Sequence, residues 1–550
     1  MKVLVIGINS KFIHPNLAIR YIKANSSFPI EIKEFTIKDP IENIIQDILE
    51  IKPDILAFSC YIWNIKIIKQ IAQSIRLHSH EVNIVLGGPE ISYDYEEYLL
   101  NGIANFIVIN EGELAFEKLI KHLSGEYNIY DVENIAYLEN GIVKQNQLMQ
   151  IEDLNQLKDP FFPEDIKDIS KKVQYIELSR GCPYKCSYCL ASLEKGLRFF
   201  NIDKVFDQID YLVNHGARTI KFLDRSFNAN KKIALSFFKK LIEKNYSNCI
   251  FQFEINGDVL DDDIIEYLQK YLKQNYIRFE LGIQSTNPSV NKAVDRYQNT
   301  EKLIENIKKL QLSNIILHLD LIAGLPFEDL NSFKNTFNDI FNLNAKELQL
   351  GFLKMLKGTK IRRESGKHEY IFDENPPYEI IHNKYISSDE LNQIHLVETF
   401  LDIYWNKGFM CETIKLLLKN NNLAYEFLYD LGLYYQKLKF SKKRYQLIDI
   451  YKNIKEYLEY NKIYNMEIDA QLKLDYLNYN KIKPKPFWNE KLNKNDIIRS
   501  FFKCDSSFNI DILYKYSLVT KFKSGYLIAL FLPNVKEFYV FENNQIKRIG

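Results

Sequence analysis

The chain reads as an α/β protein in three parts: a doubly wound parallel sheet, a partial β/α barrel of six units, and a mainly helical C-terminal part with terminal strands. Three observations predict this. Short β-type runs alternate with amphipathic helical stretches over residues 1–125, and strict alternation implies a parallel sheet covered on both faces. The alternation resumes at 173 and runs through six further units. Beyond about 366 helical runs dominate. A chain of 550 residues, 46% hydrophobic and 26% charged, is globular and long enough for two to four domains. The divisions expected are 1–125, a connecting segment 126–172, 173–365 and 366–550.

In the first part the expected strands are 2–6, 30–36, 54–59, 83–86 and 105–109, with helices at 16–24, 41–51, 65–77 and 113–123. Ligands of open sheets bind beyond the carboxyl ends of the strands. Those ends carry the stretches Gly7-Ile-Asn-Ser-Lys11, Ser59-Cys-Tyr-Ile-Trp63, Gly87-Gly-Pro-Glu90 and Asn110-Glu-Gly-Glu113. Glycine lets a backbone approach a ligand closely, and a helix N-terminus favours anionic groups. Each loop alone reads equally well as a turn; four in the right places indicate a large ligand across the sheet edge. In the connecting segment, Glu139-Asn-Gly141 between 134–138 and 142–145 predicts a hairpin.

The barrel strands are placed at 173–178, 219–223, 250–255, 277–282, 315–321 and 347–352. Asn201 caps a helix over 202–214 that ends at Gly216, and another helix runs from Asp329 to about Phe341. Active sites of β/α barrels lie at the carboxyl ends of the strands. After 366, helices are expected at 388–405, 413–418, 424–437 and 444–460, and strands at 512–516, 525–531 and 537–541. This part has no cysteine cluster, repeat or low-complexity linker.

A net charge of +1 gives no global field for nucleic acid or anionic lipid, so neither is an expected partner, although a local basic patch stays open. Seven cysteines, three of them clustered, suit a reducing compartment. The start lacks a signal-peptide core, and no apolar run is long enough to span a bilayer. A soluble cytoplasmic protein is expected.

The sharpest feature follows the first barrel strand: Ser179-Arg-Gly-Cys-Pro-Tyr-Lys-Cys-Ser-Tyr-Cys-Leu190. Cys182, Cys186 and Cys189 have the spacing C-x3-C-x2-C. Three such thiolates can hold three irons of a [4Fe–4S] cube and leave the fourth iron without a protein ligand. A three-cysteine zinc site is the alternative; Cys60, Cys249, Cys411 and Cys504 are too scattered to complete either. With Tyr188 just before the last cysteine, the motif resembles that of radical S-adenosylmethionine enzymes, whose open iron is chelated by the amino and carboxylate groups of S-adenosylmethionine.

The N-terminal loops resemble the Rossmann-like cobalamin-binding domain that precedes the TIM-type barrel in one large class of those enzymes. The resemblance implies cobalamin contacts from Asn9, Ser10, Lys11, Ser59, Tyr61, Trp63, Gly87, Gly88, Glu90, Glu111 and Gly112. The motif Asp-x-His-x-x-Gly is absent, since His14 stands in Phe12-Ile-His-Pro15. His14 therefore reads as part of a helix start, and cobalamin is expected to bind without a histidine below the cobalt, unless the domain has lost the cofactor.

For S-adenosylmethionine the resemblance implies Tyr188 and groups after successive strands: Asp224 as acceptor for its amino group, Arg225 for a carboxylate or the substrate, Glu254 and Asn256 on one face, Gln284 and Ser285 for ribose or carboxylate, and Gly324 near adenine. The plain alternatives are an internal Asp224–Arg225 ion pair and a simple turn at Gly324. The activity implied is oxygen-sensitive radical chemistry, forming a 5′-deoxyadenosyl radical or methylating an unactivated carbon of a small-molecule or peptide substrate. A flavodoxin or ferredoxin would supply electrons. Oxidative cyclisation, a cluster-and-cobalamin sensor or electron carrier, and tRNA modification are the other readings. The C-terminal part resembles a domain of uncharacterised function found in such enzymes.

Overall fold

The structure, a computed structural model, describes all residues except 195, 247, 420–422, 482–487, 489, 534 and 550. Contacts divide it into two compact units: Met1–Phe333 with Gln349–Ser388, and Lys334–Leu348 with Asp389–Gly550.

The first unit opens with a seven-stranded sheet: β1 (Val3–Asn9), β2 (Ile30–Thr36), β3 (Ile55–Ser59), β4 (Asn83–Gly87), β5 (Phe106–Val108), β6 (Ile135–Glu139) and β7 (Ile142–Gln145), ordered β2-β1-β3-β4-β5-β6-β7. The first five are parallel, and β1 is buried along its whole length, as a central strand of Val and Ile should be. The helix Ile65–His78 buries Ile65, Ile68, Ile71, Ala72 and Ile75, a stripe at helical spacing laid on one face of the sheet. The hairpin β6–β7 adds to β5 antiparallel, so this part of the connecting segment extends the sheet. The chain leaves β1 for β2 on one side and returns to β3 on the other. The crevice beyond the carboxyl ends of β1 and β3 is thus the topological switch point.

Next come β8 (Gln174–Ile176) and a short antiparallel pair, β9 (Ser179–Arg180) with β10 (Arg198–Phe199). They are followed by β11 (Thr219–Phe222), β12 (Ile250–Ile255), β13 (Ile277–Gln284), β14 (Ile315–Ala323) and β15 (Glu347–Phe352). The open barrel runs β8-β11-β12-β13-β14-β15. Alternate residues divide its two faces. Phe222, Phe251, Phe253 and Phe279 turn outward, fully buried; Phe222, Phe253 and Phe279 meet Phe227, Phe237 and Phe238, and Phe251 meets Tyr246 and Tyr276. Lys221, Gln252, Glu254, Arg278, Glu280, His318 and Asp320 alternate with residues of the outward-facing set and so face the lumen. Barrel lumens are ordinarily packed with branched apolar side chains. A small pair, β16 (Ile371–Phe372) with β17 (Ile380–His382), completes this unit.

The second unit is helical and ends in an antiparallel meander of β18 (Ser517–Phe522), β19 (Gly525–Phe531), β20 (Lys536–Glu542) and β21 (Gln545–Ile549). The strand expected at 512–516 is instead the end of a helix, Ile510–Tyr516. Asn509 caps it, its side chain accepting from the backbone N–H groups of Asp511 at 3.0 Å and Ile512 at 3.1 Å. The β-favouring Ile and Tyr residues there yield to the cap. Among the described residues no helix is long and apolar enough to cross a membrane.

Candidate functional site

The cysteine loop leaves the barrel through β9 and returns through β10, paired as Arg180 with Arg198. Gly181 lies at φ +92°, where a Cβ would stand 1.9 Å from the Gly196 carbonyl oxygen, so only glycine closes the stem. Cys186 is buried, and Cys182 and Cys189 are half-buried. Burial holds the Cys182 and Cys189 thiols above their ordinary range, with Cys189 and Cys186 acting on the first and Cys186 on the second. Among the described residues no three His, Cys, Asp or Glu side chains gather about one metal ion. Three thiol donors on one glycine-closed loop are the donor set that a [4Fe–4S] cube takes.

Arg180 anchors the stem with ion pairs to Glu111 at 3.2 Å, Glu113 at 2.7 Å and Glu177 at 2.9 Å, while Arg198 meets Glu111 at 2.9 Å. Burial pushes the Glu111 carboxyl up, but Arg198, the Ile151 N–H and Arg180 bring it below the usual range. Glu111 therefore ties the last sheet loop to the cysteine loop and is committed before any cofactor arrives. Asp224 is likewise committed: it accepts from the Leu178 N–H at 2.9 Å and the Ser179 hydroxyl at 2.5 Å, and burial pushes it up to about 7. Ser285 donates to Glu328 at 2.6 Å, and the Gly324 carbonyl accepts from Tyr370 at 2.9 Å and Asn383 at 3.0 Å. The Asn256 backbone pairs with the Asn228 side chain, and its own side chain meets Tyr184. These expected cofactor contacts shape the barrel mouth from within.

Gln284 differs. It sits at φ +68° on a bulge in β13, and its side-chain oxygen is buried without a partner. A buried acceptor left unsatisfied is costly, so this position fits a ligand that donates, such as a hydroxyl or an ammonium. Glu254 is pushed up by burial and drawn down chiefly by Arg225. Arg296 was not expected: its Nη1 lies 3.9 Å from the Cys186 sulfur, and it also bonds Tyr188, Gln298 and the Gly282 carbonyl. It stands two turns of chain beyond the fourth barrel strand, where no motif marks it.

At the sheet edge, Asn9 donates to Glu34 at 2.9 Å and Ser59 accepts from Asn16 at 2.6 Å. The glycines serve the protein's own packing: a Cβ on Gly88 would meet the Cys60 carbonyl at 2.7 Å, and on Gly87 or Gly112 it would meet Val108. Gly88 is thus pressed against the Cys60 backbone, whereas at Gly87 a Cβ would make only ordinary contact. Glu90 accepts from the Tyr378 hydroxyl and has Lys357 at 3.5 Å. Still available are Ser10, Lys11 and a flat surface, Tyr61 stacked on Trp63 at 4.4 Å and 5°, with Trp63 43% exposed and its Nε1 donating to the Ile8 carbonyl. An aromatic plate at the switch point fits the face of a macrocycle. His14 is elsewhere, its Nδ1 sharing a hydrogen bond of 2.7 Å with Tyr175 of β8. Arg225 is near enough to Cys189 and to Tyr61 to act on both electrostatically.

Comparison with known proteins agrees with this geometry. Residues 3–120 match the B12 binding domain, 176–340 the Radical SAM superfamily, and 366–525 a protein family of unknown function, DUF4080. The chain is 23% identical over 360 residues to the cobalamin-dependent radical SAM methyltransferase TokK of Streptomyces tokunonensis, covering 60% of this chain and 51% of that one. It is 29% identical over 247 residues to the anaerobic magnesium-protoporphyrin IX monomethyl ester cyclase of Synechocystis, covering 42% and 48%. The chain thus spans about half the length of these two relatives. In fold it is similar to the cobalamin-dependent S-adenosylmethionine radical enzyme OxsB, with a TM-score of 0.62 and 17% identity over 86% of this chain and 79% of that one.

Proposed function

From a chain that joins a B12-binding domain to a radical SAM domain, we propose a cobalamin-dependent radical S-adenosylmethionine enzyme that methylates an unactivated carbon. One observation carries the reading most: Arg180, in the stem of the cysteine loop, pairs with Glu111 of the last sheet loop at 3.2 Å, which joins the barrel end that holds the cysteines to the sheet edge that holds the aromatic plate. Cys182, Cys186 and Cys189 would hold a [4Fe–4S] cluster. Gln284, beside the Gly282 carbonyl that Arg296 ties down, would accept from S-adenosylmethionine. Tyr61, Trp63, Ser10 and Lys11 would bear on cobalamin, with no histidine below the cobalt. Together these cofactors supply reductive cleavage of S-adenosylmethionine and relay of a methyl group.

The chain's own part is to position and to exclude water. Arg180 and Asp224 fix the stem from which the cysteines hang, and Arg296 places positive charge beside the Cys186 thiolate. The free cysteines suit a reducing cytoplasm, with a flavodoxin or ferredoxin as donor. Oxidative cyclisation is the second reading, favoured by the identity with the cyclase. Anaerobically reconstituted protein given its substrate should yield methylated product with 5′-deoxyadenosine and S-adenosylhomocysteine together. A product two hydrogens poorer, without S-adenosylhomocysteine, would select cyclisation instead.

A further inference from the structure

Arg225 is an unmatched cation. Among the described residues it makes neither an ion pair nor a hydrogen bond, although burial opposes its charge and Glu254, Cys189, Glu194 and Glu177 act on it from a distance. Glu177 is already paired with Arg180 at 2.9 Å, and burial pushes Glu254 and Glu194 toward their neutral forms. The neighbouring Asp224, an obvious counter-ion from sequence, is held by Leu178 and Ser179. The Arg225 side chain is accessible to water at the carboxyl end of β11, the strand paired with β8, which leads into the cysteine loop. A guanidinium offers a planar fork of donors that matches an oxyanion.

The lumen below is wet as well as charged. Lys221 and Asp320 keep 25% and 29% of their side chains accessible, although Ile220, Phe222, Leu319 and Leu321 beside them on the strands are buried. Lys221 pairs with Glu280 at 2.7 Å, and His318 lies 3.0 Å from Asp320. An oily ligand would strip water from these ions without replacing it.

We propose that Arg225 anchors an oxyanion of the substrate, a carboxylate or a phosphate, beside the cysteine loop at the mouth of the barrel, and that the rest of the substrate is hydrophilic and enters the charged lumen. This assignment rests on the function proposed above and adds a substrate class to it.

The test is arginine footprinting of the full-length, cluster- and cobalamin-loaded protein. Phenylglyoxal is applied anaerobically without S-adenosylmethionine, with it, and with its decarboxylated analogue, and modification of Arg225 is followed by peptide mass spectrometry. N-acetyl-L-glutamate serves as the carboxylate probe and inorganic pyrophosphate as the phosphate probe, with N-acetylglutamate diamide as the uncharged control. At saturating probe, one of the two anions should slow modification of Arg225 by about fivefold or more, and the diamide should not. Whichever protects identifies the class of oxyanion. Three results would overturn the proposal: no protection by either anion, an Arg225 that phenylglyoxal never reaches, or protection by S-adenosylmethionine alone that its decarboxylated analogue does not give. The last would assign Arg225 to the cofactor's carboxylate. Protection by an anion in protein that fails to cleave S-adenosylmethionine would uphold the anion site and sink the reaction instead.

Discussion

Cys182, Cys186 and Cys189 could be picked out of the sequence because their relation is local: eight residues of one loop contain all three. Each changed to Ala should abolish cluster iron and its visible absorption, while Ala at Cys60, Cys249, Cys411 or Cys504 should leave iron content unchanged. Loss of iron from one of those four would contradict a single cluster. Gln284 was legible as a position after the fourth strand, but its unpaired buried oxygen was not. Gln284→Ala should weaken S-adenosylmethionine binding about tenfold, near 1.4 kcal/mol, with the cluster retained. Unchanged affinity by calorimetry would move the cofactor off this strand. The roles of Asp224, Gly88 and Glu111 were hidden because their partners are distant in the chain: Arg180 lies 69 residues from Glu111, and Asp224 lies 45 from Ser179. A carboxylate after a strand looks the same whether it awaits a ligand or braces a neighbouring loop.

The stem of the cysteine loop decides whether the cysteines can serve. Gly181→Ala should disrupt it, because the added methyl overlaps the Gly196 carbonyl and φ is positive; reconstituted iron should fall well below half. Arg180→Met should cost about 3 kcal/mol or more in denaturant unfolding, since it strands Glu113 and Glu177 among buried surroundings. Asp224 adds a pH dependence. Its folded pKa of about 7 lies above the unfolded value, so its contribution is full below about 4 and is lost as pH rises through about 7. Relative to wild type, Asp224→Asn should therefore gain stability between pH 5 and pH 8. Parallel unfolding free energies for the two proteins across that range would refute the buried carboxyl. Strand and helix elements were read well where hydrophobic period and caps agreed. The exception at 512–516 arose because aromatic and β-branched residues also fit a capped helix end.

At the scale of the molecule, the β/α alternation identified both the sheet and the barrel, and the order of strands put their carboxyl ends where cofactors would be wanted. What alternation could not convey is the lumen. Lys221, Glu254, Arg278 and Glu280 stand at period two inside runs otherwise rich in Phe and Ile, and which face turns inward depends on barrel closure. Nor could it show that Glu111 ties the sheet edge to the stem of the cysteine loop through Arg180 and Arg198. The account stands on that junction. The most direct test is to reconstitute the full-length protein anaerobically with iron, sulfide and cobalamin, reduce it with dithionite, add S-adenosylmethionine, and quantify bound cofactors and products by chromatography. One [4Fe–4S] cluster, one retained cobalamin whose spectra are unchanged in His14→Ala, and slow formation of 5′-deoxyadenosine are predicted. A full cluster complement that leaves S-adenosylmethionine intact would contradict the account.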